Sequence, residues 1–273
     1  MSFLEKLLEP VQGVMLPVPA DLAAPELVAL LFTVWAAAFG IAVFPWAIYR
    51  WLKKKDDIPL WMCVGGLLCS IIEPMLDHIG HLWYPTNLPG PAFTGFELNI
   101  PWLIPPCYVF FISMTGYWAY TRMKDGLDIK GLFLVWLLIS MTDLILEMPG
   151  TAMGAYTYYG DASFKIFGFP IAWGWLNGTS MLAVGALLWL VEPHLRGKKR
   201  AYLALVSVSA MGASYGVTAW PYFMSLNWDG LPWISTRLLT VASLVLCLIL
   251  VRFIAAAVAK NGNVSIKNRV GAG

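Results

Sequence analysis

The chain has 273 residues, of which 59% are hydrophobic and only 12% carry a charge, and its mean hydropathy is +0.69. Soluble domains carry about 25% charged residues, so the composition excludes a soluble globular domain and predicts an integral membrane protein. The net charge of +2 is too small to favour a nucleic-acid partner. The four cysteines lie in apolar runs without a CxxC pair, which favours buried free thiols over disulfides or a zinc site.

The first 25 residues differ from the rest of the chain. The stretch "SFLEKLLEPV" places apolar residues on one helical face, but it lacks the basic start and unbroken apolar core of a signal peptide. It therefore predicts a short helix that lies on the membrane surface. The predicted organisation is an interfacial segment over 1–25, a membrane domain over 26–260 and a cytoplasmic tail over 261–273.

Seven segments of the membrane domain are candidate spans, because a spanning helix needs about 20 mostly apolar residues. They predict an all-α polytopic protein with about seven transmembrane helices in one bundle. The segments are 26–51, 58–79, 100–122, 129–148, 166–192, 201–224 and 233–258. The loops that follow the first, third, fifth and seventh spans, together with Arg252, hold 15 of the 18 Lys and Arg residues. Since basic loops remain in the cytoplasm, the N-terminus is predicted outside and the C-terminus inside.

The three loops predicted on the outer side are not plain connectors. They read "HLWYPTNLPGPAFTGFELN", "TAMGAYTYYGDASF" and "SLNWDGLPW", and they are rich in aromatic residues, Pro and Gly. Aromatic residues are common at a membrane interface. Three such loops on one face nevertheless predict a structured cap over an opening.

Ionisable residues interrupt two of the predicted spans. In the second span, Glu73, Asp77 and His81 follow each other at i, i+4 and i+8 and share one helix face. In the fourth span, Asp143 and Glu147 repeat the i, i+4 spacing. The rise of 1.5 Å per residue puts Glu73 and Asp143 roughly 21–23 Å from the cytoplasmic face, in the outer half of the apolar layer. Each charge costs roughly 2.5–3.5 kcal/mol at a helix centre, so the cluster predicts a functional site.

Several uses of the cluster remain open at this point. The carboxyl groups could pair with Arg237 or His81 and join helices without any chemistry. A carboxylate-rich metal site, haem ligation through His78 or His81, and a proton relay for transport are further alternatives. A retinal protein is disfavoured, because the seventh span has no lysine before Lys260. We favour acid–base catalysis, in which a buried carboxyl group donates a proton and a neighbouring carboxylate accepts one.

The blocks "EPMLDHIGHLWYPTN", "FTGFELNIPWLIPPCYVFF", "EMPGTAMGAYTYYG" and "GFPIAWGWLNGTSMLAVGALLWLVEPHLRG" span less than half of the chain. In these blocks the sequence resembles the AveC-like family of bacterial membrane proteins, named for the avermectin spirocyclase. The resemblance implies a bacterial inner-membrane location and a lipophilic oxygenated substrate. The named member closes a spiroketal from a dihydroxy ketone with loss of water, which needs an acid and a base but no redox cofactor. The matching positions are Glu73, Asp77, His81, Tyr84, Asn87, Glu147, Tyr156 and Asn177.

The sequence thus predicts a membrane-embedded isomerase, cyclase or dehydratase that uses no cofactor or metal. The runner-up is a non-catalytic carrier or receptor for a lipophilic molecule. The expected partners are a lipophilic substrate and the bilayer, and a homo-oligomer remains open. The predicted catalytic residues are Glu73, Asp77, His81, Asp143 and Glu147. The predicted substrate-binding residues are Tyr84, Asn87, Tyr156, Tyr158, Trp173, Trp175, Asn177, Tyr215, Trp220 and Arg237, with the tryptophans shaping a pocket for a cationic intermediate.

Overall fold

The computed structural model describes residues 3–10 and 17–270, and this part of the chain is mostly helical. The α-helices are α1 (Phe3–Leu8), α2 (Glu26–Lys54), α3 (Ile58–Cys69), α4 (Glu73–Gly80), α5 (Ile104–Tyr108), α6 (Thr115–Lys124), α7 (Ile129–Ala152), α8 (Ile171–Val191), α9 (Val206–Thr218), α10 (Trp220–Asn227) and α11 (Trp233–Val270). Short 3₁₀ segments, Ser70–Ile72, Glu192–His194 and Gly197–Leu205, join or extend these helices. A π-helical segment, Val109–Met114, joins α5 to α6.

Within the described residues, six helices are long and apolar enough to cross a membrane. They are Glu26–Lys54, Ile58–Gly80, Ile129–Ala152, Ile171–His194, Gly197–Thr218 and Trp233–Ala259. They correspond in order to six of the seven predicted spans, and the helical membrane-protein class is confirmed to that extent. The predicted span over 100–122 is not among them. It is assembled from α5, the π-helical segment and α6.

Proline residues explain where two predicted spans differ from the observed helices. The span predicted from residue 166 begins only at Ile171, after the extended Pro170. The span predicted over 201–224 is interrupted at Ala219, because Pro221 lies in the first turn of α10. Proline lacks a backbone N–H and clashes in a helix interior, but it fits the first turn of a new helix. A new helix therefore begins at each site. The predicted tail begins within α11, which continues to Val270.

The first two aromatic loops and the residues just after each of them form three two-stranded antiparallel ribbons. β1 (Leu82–Trp83) pairs with β4 (Thr157–Tyr158), so Leu82 lies opposite Tyr158. β2 (Phe93–Gly95) pairs with β3 (Leu98–Ile100), and β5 (Lys165–Ile166) pairs with β6 (Phe169–Pro170). The β1–β4 ribbon joins the loop after α4 to the loop after α7. It therefore brings together the C-terminal ends of α4 and α7, the two helices that carry the buried carboxyl groups.

Small residues allow α8 to approach its neighbours closely. A Cβ atom on Gly178 would lie 2.0 Å from Ser140 Oγ of α7, and a Cβ atom on Gly116 of α6 would lie 2.3 Å from Val184 Cγ1. Lipid tails are as apolar as the helices, so close packing of small residues is a main source of helix association in a membrane. These contacts fix α8 between α6 and α7, with Asn177 facing inward.

Hydrogen bonds tie the N-terminal region to later parts of the chain. Asn87 Nδ2 donates to the Ala24 carbonyl at 2.8 Å, and the Ala24 amide donates to Asn87 Oδ1 at 2.9 Å. The Trp233 amide donates to the Glu9 carbonyl at 2.9 Å. The segment predicted to be interfacial is thus held against the loop after α4 and the start of α11.

Candidate functional site

A cavity lies among α2, α4, α5, α7, α8 and α9, beneath the β1–β4 ribbon. It contains about 780 Å³ of empty space, counting the part open to the surroundings. Most of its wall is apolar. The polar lining comprises three carboxyl groups, five tyrosines, a thiol and an amide: Glu73, Asp77, Glu147, Tyr84, Tyr108, Tyr156, Tyr158, Tyr215, Cys107 and Asn177.

Glu73 is held by two tyrosines at the inner wall of the cavity. It is the first residue of α4, which follows the 3₁₀ turn Ser70–Ile72, and only 8% of it is exposed. Tyr84 Oη donates to Glu73 Oε1 at 2.8 Å, and Tyr108 Oη donates to Glu73 Oε2. Both carboxylate oxygens therefore have phenol partners, one from the loop after α4 and one from α5.

Asp77 lies one turn further along α4 and also lines the cavity. It is 3% exposed, and its Oδ2 atom has no hydrogen-bond partner in the described part of the chain. A buried carboxyl oxygen without a partner is costly unless something else supplies a donor. Asp77 therefore offers the cavity a buried carboxyl oxygen that is available for a ligand.

Glu147 faces the same cavity from α7 and is paired with a tyrosine of the loop after α7. Tyr156 Oη donates to Glu147 Oε2 at 2.7 Å. A Cβ atom on Gly150 would lie 2.7 Å from the Tyr156 ring, so the glycine of "EMPG" allows this tyrosine to approach α7. Burial raises the pKa of Tyr156 and of Tyr158 well above the ordinary value, so both phenols remain protonated near neutral pH.

Asp143 lies behind the cavity wall and is connected to it through Asn177. It is 1% exposed, and Asn177 Nδ2 donates to its carboxyl oxygens at 3.2 and 3.4 Å. Tyr215 Oη donates to Asn177 Oδ1. The amide of Asn177 therefore bridges a carboxyl group of α7 and a phenol of α9, and two of the three residues in this network line the cavity.

Aromatic rings form much of the remaining wall. Trp173 packs against Tyr158 and Tyr215 with ring centroids 5.9 Å apart, and against Tyr222 at 6.0 Å. Phe32 packs on Tyr156 at 5.4 Å. These rings give the cavity a wide apolar surface whose ring faces attract positive charge.

The cavity has one less buried side. Phe32 and Trp35 of α2, Leu146 and Glu147 of α7, and Phe111 of the π-helical segment are all half-buried, whereas Glu73 and Asp77 are buried. This half-buried wall thus lies between α2, α7 and the helical segments from α5 to α6.

Six residues predicted for the site do not line the cavity, namely Asp143, which lies behind its wall, and five others. His81 ends α4 with φ 58° and stacks on Tyr159, and Asn87 holds Ala24 instead of facing inward. Trp175 packs against Trp136 of α7. Trp220, which follows the break at Ala219, is 51% exposed. Arg237 pairs with Asp161 at 2.7 Å and lies over the Trp233 ring.

The sequence analysis missed Tyr108, which donates to Glu73 from α5. Its only signal is a phenol within the apolar stretch "IPPCYVFF", where an aromatic residue is usually plain core. Cys107, Phe111 and Met211 also line the cavity without any distinguishing spacing in the sequence.

Metal ligation was one of the alternatives for the carboxyl cluster. Within residues 3–10 and 17–270, no three His, Cys, Asp or Glu side chains converge as a metal site would require. Instead, the partners of Glu73, Glu147 and Asp143 include tyrosine hydroxyl groups and an amide.

The comparisons with known proteins give no match. No protein-family model matches this chain, and neither a curated protein nor a solved structure matches it. The resemblance to the AveC-like family therefore stays a prediction from the sequence, and the functional argument depends on the geometry of the cavity.

Proposed function

We propose that this cavity is the active site of an acid–base enzyme that isomerises, cyclises or dehydrates a lipophilic oxygenated substrate. Candidate substrates are terpenoid alcohols, hydroxyketones and epoxides, and the chemistry needs no redox step. The observation that carries the proposal is the set of three carboxyl groups and five tyrosines that line one apolar cavity. Carboxyl groups among membrane helices are costly and usually serve a function.

The proposed chemistry moves protons without a net change in oxidation state. One carboxyl group donates a proton to the substrate oxygen, the C–O bond breaks or the carbonyl carbon is attacked, and a carboxylate takes a proton back from the substrate. Asp77 is suited to direct contact because its Oδ2 is unpaired. Glu73 exchanges protons with the cavity through Tyr84 and Tyr108, which bond to its two oxygens.

The proposed enzyme spans the bacterial inner membrane seven times, with the helix from α5 to α6 as the additional span. The N-terminus lies outside and the C-terminus in the cytoplasm, as the distribution of Lys and Arg favours. The substrate then enters from lipid past the half-buried wall of α2 and α7. The outer ribbons close the cavity from above and limit the entry of bulk water.

Turnover by membranes that carry Glu73→Gln or Asp77→Asn tests the proposal. Monoterpene alcohols, their epoxides and hydroxyketones are supplied in heavy-oxygen water, and products are identified by mass spectrometry. Loss of a general acid or base lowers turnover by about 100-fold or more. Glu97→Gln is the matched control, because Glu97 is exposed on the outer β2–β3 turn. Turnover that is unchanged in both cavity variants would refute the assignment of the site.

A carrier or receptor for a lipophilic molecule is the second candidate. It is favoured by the hydrogen bonds that already satisfy both oxygens of Glu73 and one oxygen of Glu147. Carboxylate oxygens that already accept hydrogen bonds suit a binding pocket, whereas catalysis requires these carboxyl groups to exchange protons. A carrier would convert none of the panel, and a small molecule would still co-purify with the wild-type protein and with Glu73→Gln.

A further inference from the structure

The charges around the cavity are of one sign. Three carboxyl groups line it, and no Lys, Arg or His is among its lining residues in the described chain. The two basic residues predicted on this side of the membrane domain are engaged elsewhere. Lys165 Nζ donates to the Tyr158 and Gly160 carbonyls at 2.6 and 2.9 Å, and Arg237 pairs with Asp161. The cavity therefore lacks an internal cation that would balance a carboxylate.

The unpaired carboxyl oxygen of Asp77 marks a place where a ligand could donate a hydrogen bond. Asp77 is 97% buried and lines the cavity, and its Oδ2 atom has no partner among the described residues. Glu73 and Glu147, by contrast, accept hydrogen bonds from tyrosines. Asp77 Oδ2 is thus a buried acceptor for a donor in the cavity, whereas both oxygens of Glu73 and one oxygen of Glu147 already accept hydrogen bonds.

The aromatic wall favours the same kind of ligand. Trp35, Trp173 and Tyr158 present ring surface to the cavity. Ring faces attract cations, and the attraction is strongest where water is excluded. The same rings bury hydrocarbon. Carboxylates, ring faces and an apolar wall together favour a molecule with one positive charge and a hydrophobic body.

We infer that the cavity selects hydrophobic amines in their protonated form, with the ammonium N–H donating to Asp77 Oδ2 and the hydrocarbon lying against the aromatic wall. The inference rests on the proposed function, because it concerns the same cavity and because protonation of the substrate would also place positive charge on the bound molecule. Such amines act as ligands of the site whether the natural substrate is charged at rest or only during the reaction.

The test compares three probes of equal chain length at pH 7: N,N-dimethyldecylamine, decyltrimethylammonium and 1-decanol. Their binding to the full chain in lipid nanodiscs is measured by equilibrium dialysis, with empty nanodiscs as the correction for partition into lipid. We expect the tertiary amine to bind about tenfold or more tightly than the alcohol. The quaternary ion has no N–H to donate and should fall between the two.

Asp77→Asn should lower the affinity for the tertiary amine by about tenfold or more and leave the affinity for the alcohol within about twofold. Glu97→Gln should change neither. Equal binding of amine and alcohol by the wild-type protein would overturn the inference without recourse to any variant. An amine preference that survives in Asp77→Asn would overturn the role of Asp77. Turnover without amine binding would refute this inference alone, and amine binding without any turnover would refute only the proposed catalysis.

Discussion

Gly80, at the end of α4, makes a close packing contact with Trp173 behind the cavity wall. A Cβ atom at this position would lie 2.3 Å from Trp173 Cζ2 and 3.1 Å from Cη2. The Trp173 ring is itself enclosed by Tyr158, Tyr215 and Phe223, with centroid distances of 5.9 Å. In Gly80→Ala the indole must therefore move by about 1 Å to restore ordinary contact, and the cavity is the direction with empty space.

We expect Gly80→Ala to lower the free energy of unfolding by about 1–3 kcal/mol through overpacking. A gain in helix propensity of up to about 1 kcal/mol offsets part of this loss. Unfolding in mixed micelles measures the net change. Trp173→Phe removes the second ring of the indole, so it should suppress the effect, and the double variant should lose less than the sum of the single variants.

Gly212→Ala is the matched control. Gly212 lies in α9, and a Cβ atom there meets nothing within 4 Å. This variant should be as stable as the wild type or gain up to about 1 kcal/mol. If Gly80→Ala behaves like Gly212→Ala, or if Trp173→Phe gives no suppression, the close contact behind the cavity is refuted.

Two further changes test the hydrogen bonds of the membrane domain. Tyr108→Phe removes the hydroxyl group that donates to Glu73 Oε2. It should lower the free energy of unfolding by about 1–3 kcal/mol in the same assay. An unchanged free energy of unfolding would show that this hydrogen bond does not stabilise the fold. Burial opposes the charge of Asp57, but hydrogen bonds, first of all from Arg200, hold its pKa below the ordinary value of 3.8. A lowered folded-state pKa contributes stability above the unfolded value, and this contribution is lost as the pH falls through the folded value. Arg200→Ala should therefore reduce the loss of stability below about pH 4, and an unchanged acid profile would contradict the pairing.

Spacing along a helix predicted the center of the site. Glu73 and Asp77 share one face of α4, as the i, i+4 pattern requires, and both line the cavity. The depth estimate also paired the second and fourth spans, and Glu147 of α7 faces the same space. The shared helix face and the shared depth follow from helix geometry and from the cost of charge in lipid. Both can therefore be predicted from one sequence without an alignment.

Contacts between distant loops and the rotation of each helix were not predictable in the same way. Arg237 pairs with Asp161, which is 76 residues away, and no local sequence pattern predicts this pairing. Tyr108 turns inward from a stretch without clear periodicity, next to the π-helical segment. Trp220 follows the break in the helix at Ala219 and is exposed. Such rotations depend on packing partners and on breaks in helix geometry, which aromatic content alone does not reveal.

The hydrogen bonds between Asn87 and Ala24 join residues that are 63 apart in the chain. Ribosomes deliver a chain from its N-terminus, so α2 enters the lipid before Asn87, α5 or α7 exists to receive it. α2 is also the least buried of the six candidate spans, with 17% of its most apolar window inside the protein. α2 is thus inserted before the helices that it packs against. The half-buried wall formed by Phe32 and Trp35 is completed only after the later helices have assembled.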